Sequence, residues 1–190
     1  MEATKTLLSV YASASPESKQ RGRTWYDQAR RECRRISRET GVSYRRVAAV
    51  LAITSPGCQL THNLGYAERA CREGSGHGRY PTDQAPKVHG ALNDARPERH
   101  VKGPKVTAFY RAILGDSDSL TIDRWAAYAA GWSRSRTLSS KDHREIGDAY
   151  REAARVTGES LRDFQAIVWI QTRETTADAN GTVRKYADIV

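Results

Sequence analysis

The sequence predicts an all-α protein on three observations. Leu, Ile, Val and Phe together supply only 31 of the 190 residues, whereas Ala alone supplies 25. Ala and Arg favour helices, and a shortage of β-branched residues argues against a sheet. Apolar residues recur at helical spacing along most of the chain, with Gly and Pro where helices would end. All-β and membrane-spanning folds are therefore not expected.

The first predicted helix runs from Pro16 to Thr40 and ends at Gly41. One face carries an apolar stripe at helical spacing, which predicts burial of that face. The opposite face carries an arginine ridge that we expect to be continuous, either as a contact for nucleic acid or as a solvated helix face. The stripe is Trp25, Ala29, Cys33 and Ile36, and the ridge is Arg30, Arg31, Arg34, Arg35 and Arg38.

The next segment predicts two helices and a long irregular stretch. Ser43 is a favourable N-cap for a helix that is apolar nearly all round and that Pro56-Gly57 ends. A helix over about 59–72 follows. The glycine-rich sequence 73–78 then predicts a flexible loop that extends to Pro81 and Pro86.

The second half of the chain contains five further predicted helices. Their limits follow from helical spacing and from caps such as Gly115, and a polar linker (116–119) precedes the Ala-rich helix. Beyond Thr176 we expect a tail, either frayed or a small hairpin around Asn180-Gly181. The predicted helices are Lys87 to Asp94, the helix through Thr107 and Ile113, Ala126 to Ala130, Ser140 to Val156, and Ser160 to Arg173.

The charge of the chain points to a polyanionic partner. The net charge is +9, carried by 24 Arg and 7 Lys, and the planar guanidinium binds phosphate at two points. A GC-rich genome, which favours Arg codons, explains the same composition. Cys33, Cys58 and Cys71 form no metal-ligand or disulfide pattern, so we expect no metal, no cofactor and a cytoplasmic, nucleoid-associated location.

The segment most informative about chemistry lies between residues 101 and 125. Val101-Lys102-Gly103-Pro104-Lys105 predicts a tight basic turn at a helix start, where free backbone N–H groups bind phosphate. Asp123 follows twenty residues after Gly103, within a mostly apolar run at the start of the Ala-rich helix. A charged carboxylate among apolar residues is costly unless it is hydrogen-bonded. A role as the N-cap of the following helix would by itself explain its presence.

The turn, together with Thr107-Ala108 and Thr121-Ile122-Asp123, resembles the helix-hairpin-helix (HhH-GPD) DNA glycosylase superfamily. This group includes endonuclease III and the 8-oxoguanine DNA glycosylases, and small phage-type members are similar as well. The resemblance covers roughly residues 43 to 131 of what we expect to be a single domain over 1–190. It implies two helical lobes flanking a DNA-binding groove.

The resemblance also implies roles for individual residues. Asp123 matches the catalytic Asp of the family, and Lys105 matches the Lys that is the Schiff-base nucleophile in bifunctional members; a phosphate contact is the alternative role for Lys105. Val101 stands where relatives have the first hairpin Gly, and Pro56 where several have an intercalating Gln, which Gln59 would replace. The iron–sulfur cysteines of some members are absent. Predicted DNA contacts are Val101, Lys102, Gly103, Pro104, Thr107, Gln59, Asn63, Arg34 and Arg38.

The predicted function is therefore a monomeric DNA glycosylase, with or without AP-lyase activity. It would flip a damaged or modified base out of double-stranded DNA and excise it. Two alternatives remain open. One is a non-catalytic helix-hairpin-helix DNA-binding protein in which Asp123 is only a cap. The other is a phage-type enzyme of DNA base hypermodification on the same fold.

Overall fold

The computed structural model describes residues 2–177, 181 and 183, and every regular element among them is helical. The predicted all-α class is therefore confirmed. A 3₁₀ turn, Pro97–His100, lies between α5 and α6. The helices are α1 (Glu2–Ser13), α2 (Pro16–Thr40), α3 (Tyr44–Thr54), α4 (Leu60–Glu73), α5 (Pro81–Asn93), α6 (Pro104–Leu114), α7 (Arg124–Ala129), α8 (Ser140–Thr157) and α9 (Leu161–Thr175).

Internal contacts divide the chain into two compact units. The central unit is residues 27–115 and contains α3 to α6. The discontinuous unit is made of the residues up to Tyr26 and those from Asp116 onward, and it contains α1, α7, α8 and α9. Helix α2 contributes its residues through Tyr26 to the discontinuous unit and the rest to the central unit.

Helix α3 is the core of the central unit. It packs against α4, α5 and α6, and all its residues from Val47 to Thr54 are buried, as the apolar run predicts. Ser43 is the N-cap, but its hydroxyl makes no capping hydrogen bond; its carbonyl accepts the N–H of Arg46 at 2.9 Å. The helix ends two residues before Pro56, also as predicted.

The start of α5 corrects the predicted loop. The helix begins at Pro81 and includes Pro86, whereas the sequence indicated irregular chain up to that proline. A proline at the first helical position loses no hydrogen bond, because that N–H has no partner within the helix. Gln84, only 1% exposed, stabilises this helix start. Its Oε1 accepts the N–H groups of Gly78 and Tyr80, and its Nε2 donates to the carbonyl of Ile53.

The discontinuous unit has a core of small and aromatic side chains. Alanines of α7 and α8 pack with Leu7, Ile146 and Tyr150. The ring of Phe164 stacks on Tyr11 and meets Tyr150 edge to face, with centroids 5.4 and 5.9 Å apart. Aromatic rings thus supply volume that the few Leu and Ile residues cannot.

Two other outcomes concern the ends of the chain. Helix α1 was not among the predicted elements, and it packs against α8 and α9 through Leu7 and its neighbours. The predicted turn at Asn180-Gly181 lies outside the described residues except for Gly181, which has a φ of 77°. No helix in the described part of the chain is long and apolar enough to cross a membrane.

Candidate functional site

Asp123 is the N-cap of α7, in the discontinuous unit. One carboxylate oxygen, Oδ1, accepts the backbone N–H groups of Trp125 and Ala126 at 2.9 and 2.8 Å. The capping role that the sequence offered for this residue is therefore confirmed. Because the N-cap residue sits before the first helical turn, α7 presents its carboxylate at the start of the helix and fixes its orientation.

The second carboxylate oxygen has a partner that the sequence did not predict. The indole Nε1 of Trp169, on α9, donates to Oδ2 of Asp123 at 3.1 Å. Three N–H groups therefore hold one half-buried carboxylate, two from the backbone and one from a side chain. No spacing rule connects positions this far apart, so a sequence pattern could not have identified Trp169.

Two buried tyrosines support the same region. Burial raises the pKa of Tyr26 and of Tyr150 above the usual value, and in both cases the negative charge of Asp123 adds to the effect. Both phenols therefore stay protonated at neutral pH. The Tyr150 hydroxyl donates to the carbonyl of Ala126 at 3.0 Å, which fixes α7 to α8.

Arginines lie over the tryptophans beside Asp123. The Arg173 guanidinium is 4.4 Å from the ring centre of Trp125 and 5.6 Å from that of Trp169. The Arg134 guanidinium is 4.6 Å from the ring centre of Trp125. The two indole rings next to Asp123, those of Trp125 and Trp169, therefore each lie under an arginine guanidinium.

The predicted basic turn lies in the central unit. Gly103 is the N-cap of α6 with a φ of 87°, a conformation that favours glycine, and a Cβ added there would meet nothing within 4 Å. Pro104 occupies the first helical position, and Lys102 is exposed whereas Lys105 is half-buried. The start of α6 therefore has an open backbone at Gly103 with a lysine on either side, and the phosphate contact stays a prediction.

Several predicted DNA contacts are less accessible than the sequence suggested. Val101 is 6% exposed, and half-buried Thr107 directs its hydroxyl to the Val101 carbonyl at 3.4 Å. Asn63 is 2% exposed; its amide donates to the Leu51 carbonyl and accepts from the Thr54 hydroxyl. The side chains of Asn63 and Val101 therefore stabilise the central unit, and a direct contact from them is not supported.

Gln59 is the N-cap of α4. It is half-buried, and its side chain makes no capping bond. The amide is therefore not committed to the helix start, and the predicted intercalating role of Gln59 stays a prediction.

The arginine ridge on α2 is interrupted, which corrects the expectation of a continuous basic surface. Arg35 binds Glu32, Glu39 and Glu68 in one ion-pair network. Arg30 directs its Nε to the Ile113 carbonyl at 3.0 Å. Glu32 and Glu39 lie three and four positions from Arg35, so helical spacing indicates these two pairs, whereas the pair with Glu68 on α4 depends on tertiary packing. The members that stay exposed are Arg31, Arg34 and Arg38.

The two residues predicted to carry the chemistry belong to different units, Lys105 to the central one and Asp123 to the discontinuous one. Their pairing stays a prediction. Among the described residues, no group of three or more His, Cys, Asp or Glu is arranged to hold a metal ion.

Comparison with known proteins gives a family match and nothing beyond it. The model of a family described as a family of unknown function (DUF7178) matches residues 1–176. No curated protein and no solved structure matches the chain.

Proposed function

Because the chain belongs to this family of unknown function, we propose an activity from the site: a DNA glycosylase that releases a damaged or modified base, with Asp123 as its catalytic carboxylate. The observation that carries the proposal is the fixed Asp123 carboxylate, bound by Trp125 N–H, Ala126 N–H and the Trp169 indole. The resemblance of residues 101–108 and 121–123 to the helix-hairpin-helix glycosylases supports it.

Cleavage of an N-glycosidic bond places positive charge on the sugar as the base departs. A carboxylate held in one orientation stabilises that charge without reorganising, which is the main electrostatic contribution available to such a site. The base leaves with the bonding electron pair, and water adds at C1′ of the sugar. Asp123 stabilises the cationic transition state and orients that water.

The duplex hides the bond to be broken, so the nucleotide must rotate out of the stack while its backbone is held. The start of α6 is the proposed phosphate contact, through the open backbone at Gly103 and the exposed Lys102. For a bifunctional enzyme, the Lys105 amine would attack C1′ and displace the base, which takes up a proton from the amine. The C1′–O4′ bond then breaks to give the Schiff base, and O4′ leaves as a hydroxyl. Loss of a C2′ proton then expels the 3′ phosphate and cleaves the strand.

The test is base release from duplex oligonucleotides that each contain one damaged or modified base. Asp123→Asn is the informative variant, because Asn is as good an N-cap as Asp but carries no charge. Its amide has one acceptor oxygen, so the Trp169 indole also loses its partner at Oδ2. Trp169→Phe removes the same hydrogen bond and keeps the charge, so it is the matched control. We expect Asp123→Asn to fold and to bind duplex DNA while base release falls at least a hundredfold. Base release at the wild-type rate in this variant would refute the catalytic role of Asp123.

Borohydride trapping tests the lyase step separately. We expect a covalent protein–DNA adduct with the wild type that is lost in Lys105→Gln and kept in Lys141→Gln, an exposed lysine of α8. Loss of the adduct in both variants would argue against Lys105 as the nucleophile. Base release without an adduct would identify a monofunctional glycosylase.

A non-catalytic DNA-binding protein is the second candidate, and one observation favours it. One oxygen of Asp123 caps α7 and the other accepts the Trp169 indole N–H. These structural hydrogen bonds explain the presence of the carboxylate without a catalytic role. This candidate predicts duplex binding that weakens steeply with salt, since phosphate contacts release counterions. It also predicts no base release from any of the oligonucleotides.

A further inference from the structure

In the discontinuous unit, an exposed aromatic ring lies beside arginines on α7 and the loop that follows it. Tyr128 is 38% exposed, although most large apolar side chains of the described residues are buried. Its ring meets Trp125 edge to face, with ring centres 6.2 Å apart. An aromatic ring held by a second ring keeps one orientation and loses little entropy when a flat ligand stacks on it.

Arginines surround the exposed ring. The Arg134 guanidinium lies 5.3 Å from the ring centre of Tyr128 and 4.6 Å from that of Trp125, so both rings hold it. Arg124 is exposed and lies four residues before Tyr128, which places the two side chains on the same helix face. We name Arg124, Trp125, Tyr128 and Arg134 the α7 surface.

Among the residues that the structure describes, no acidic side chain neutralises the positive charge of this surface. Within the described part of the chain, no carboxylate forms an ion pair with Arg124 or Arg134, in contrast to Arg136, which binds Asp142 at 2.8 Å. The nearest acidic residue in sequence, Asp123, accepts its hydrogen bonds from backbone and indole N–H groups. Arg134 donates from Nη1 to the Ala177 carbonyl at 3.3 Å, which orients its guanidinium without neutralising its charge. The charges of Arg134 and of the exposed Arg124 can therefore attract an external anion.

We propose that the α7 surface binds an unpaired segment of DNA, with a base stacked on Tyr128 and the flanking phosphates at Arg134 and Arg124. Exposed aromatic rings between positive side chains are the physical requirement for single-strand binding, because every base has a face to stack and every nucleotide a charge. A paired duplex offers phosphates but no free base face. The surface therefore favours the single strand.

The choice of DNA as the strand rests on the proposed function, whereas the stacking and charge arguments do not. All the DNA contacts predicted from the sequence lie in residues 27–115, the central unit. The α7 surface belongs to the discontinuous unit and uses none of them. It would hold the strand that becomes unpaired when a nucleotide leaves the duplex.

The experiment is fluorescence anisotropy of labelled oligo(dT), about 15 nucleotides long, with the full chain at two or more salt concentrations. We expect Tyr128→Ala to weaken binding about tenfold, as loss of one stacked base does, and Tyr128→Phe to bind like the wild type. Arg134→Gln should weaken binding and lower the salt dependence. Arg144→Gln, an exposed arginine of α8 without an ion pair in the described residues, is the charge-matched control.

Three results would overturn the proposal. These are wild-type binding by Tyr128→Ala, equal losses in Arg134→Gln and Arg144→Gln, or tighter binding of a duplex of the same length. Tighter binding of oligo(rU) than of oligo(dT) would refute the assignment to DNA. Since Arg134→Gln removes no core side chain, its comparison with Arg144→Gln decides the question even if Tyr128→Ala misfolds.

The proposed glycosylase activity can be refuted independently of the α7 surface. If no base is released but oligo(dT) binding still depends on Tyr128 and Arg134, the single-strand site is supported and the glycosylase activity is refuted. If Asp123→Asn abolishes base release while Tyr128→Ala leaves oligo(dT) binding unchanged, the glycosylase activity is supported and the single-strand site is refuted.

Discussion

The indole N–H of Trp169 donates to Oδ2 of Asp123 at 3.1 Å, and this bond joins α9 to the start of α7 across 46 positions of sequence. The other oxygen of the same carboxylate caps α7. The one acidic residue in an otherwise apolar run is thus bound from two directions. Its side chain is a structural element of the unit as well as the candidate catalytic group.

Replacing Trp169 with Phe should separate positioning from packing. A smaller phenyl ring replaces the indole that Arg173 covers, and Oδ2 of Asp123 loses its donor. We expect the free energy of unfolding to fall by about 1 kcal/mol, the usual value of one hydrogen bond. The base-release rate should fall roughly tenfold, equivalent to about 1.4 kcal/mol of transition-state free energy, with little change in KM.

Trp132→Phe is the matched control for that variant. The Trp132 indole donates to Asp142 at 3.0 Å, a different carboxylate of the same unit. A similar loss of stability without loss of base release is expected. Equal losses of base release in the two variants would show that Trp169 does not position Asp123.

Gln84→Leu should be among the most destabilising changes in the central unit. Leu leaves the N–H groups of Gly78 and Tyr80 and the Ile53 carbonyl without the partner that Gln84 supplies. Each unsatisfied buried group costs about 1–3 kcal/mol, so for three groups we expect a loss of at least about 3 kcal/mol in urea unfolding. Gln20→Leu, on the exposed face of α2, should change stability by less than about 0.5 kcal/mol.

Gly22→Ala should destabilise the discontinuous unit even though Ala is the better helix former. A Cβ at position 22 would lie 2.7 Å from the backbone nitrogen of Ile167, so α2 and α9 would have to move apart. We expect a loss of about 1–3 kcal/mol in thermal or urea unfolding. Gly65→Ala, in α4, meets nothing within 4 Å and should instead gain about 0.5–1 kcal/mol. A gain at position 22 would contradict the close approach.

Asp142 should make stability depend on pH in the acid range. The Ser139 hydroxyl, the Trp132 indole and the Ser139 backbone N–H all donate to this carboxylate and lower its pKa well below the usual value. Because the folded pKa lies below the unfolded one, about 3.9, the stabilisation is complete above that value and is lost as the pH falls.

The measurement is urea unfolding of the wild type and Asp142→Asn from pH 7 to pH 3. Their stability difference should be constant above about pH 5 and shrink below about pH 4. Asp148→Asn, exposed on α8, is the control and should show a smaller change over the same range. A difference that does not depend on pH would contradict this role of the Asp142 charge.

Helix ends that depend on local signals were predictable. Pro16 and Gly41 bound α2, and Gly115 ends α6 with a φ of 112°, because these residues determine the backbone conformation within one turn. The start of α5 was not predictable. It depends on Gln84 reaching the Ile53 carbonyl, 31 positions away. Local rules do not extend to bonds of that span.

The features of the candidate site likewise fall into those that local sequence predicts and those that depend on tertiary packing. The sequence by itself determined the helical class, the position of Asp123 before an Ala-rich helix and the Gly103 turn, since each depends on residues within a few positions. Only the tertiary structure decided that Trp169 binds Asp123, that Glu68 joins the ion pairs of Arg35 and that Asn63 is buried. Packing brings those partners together from distant parts of the chain, and no spacing along the sequence encodes their meeting.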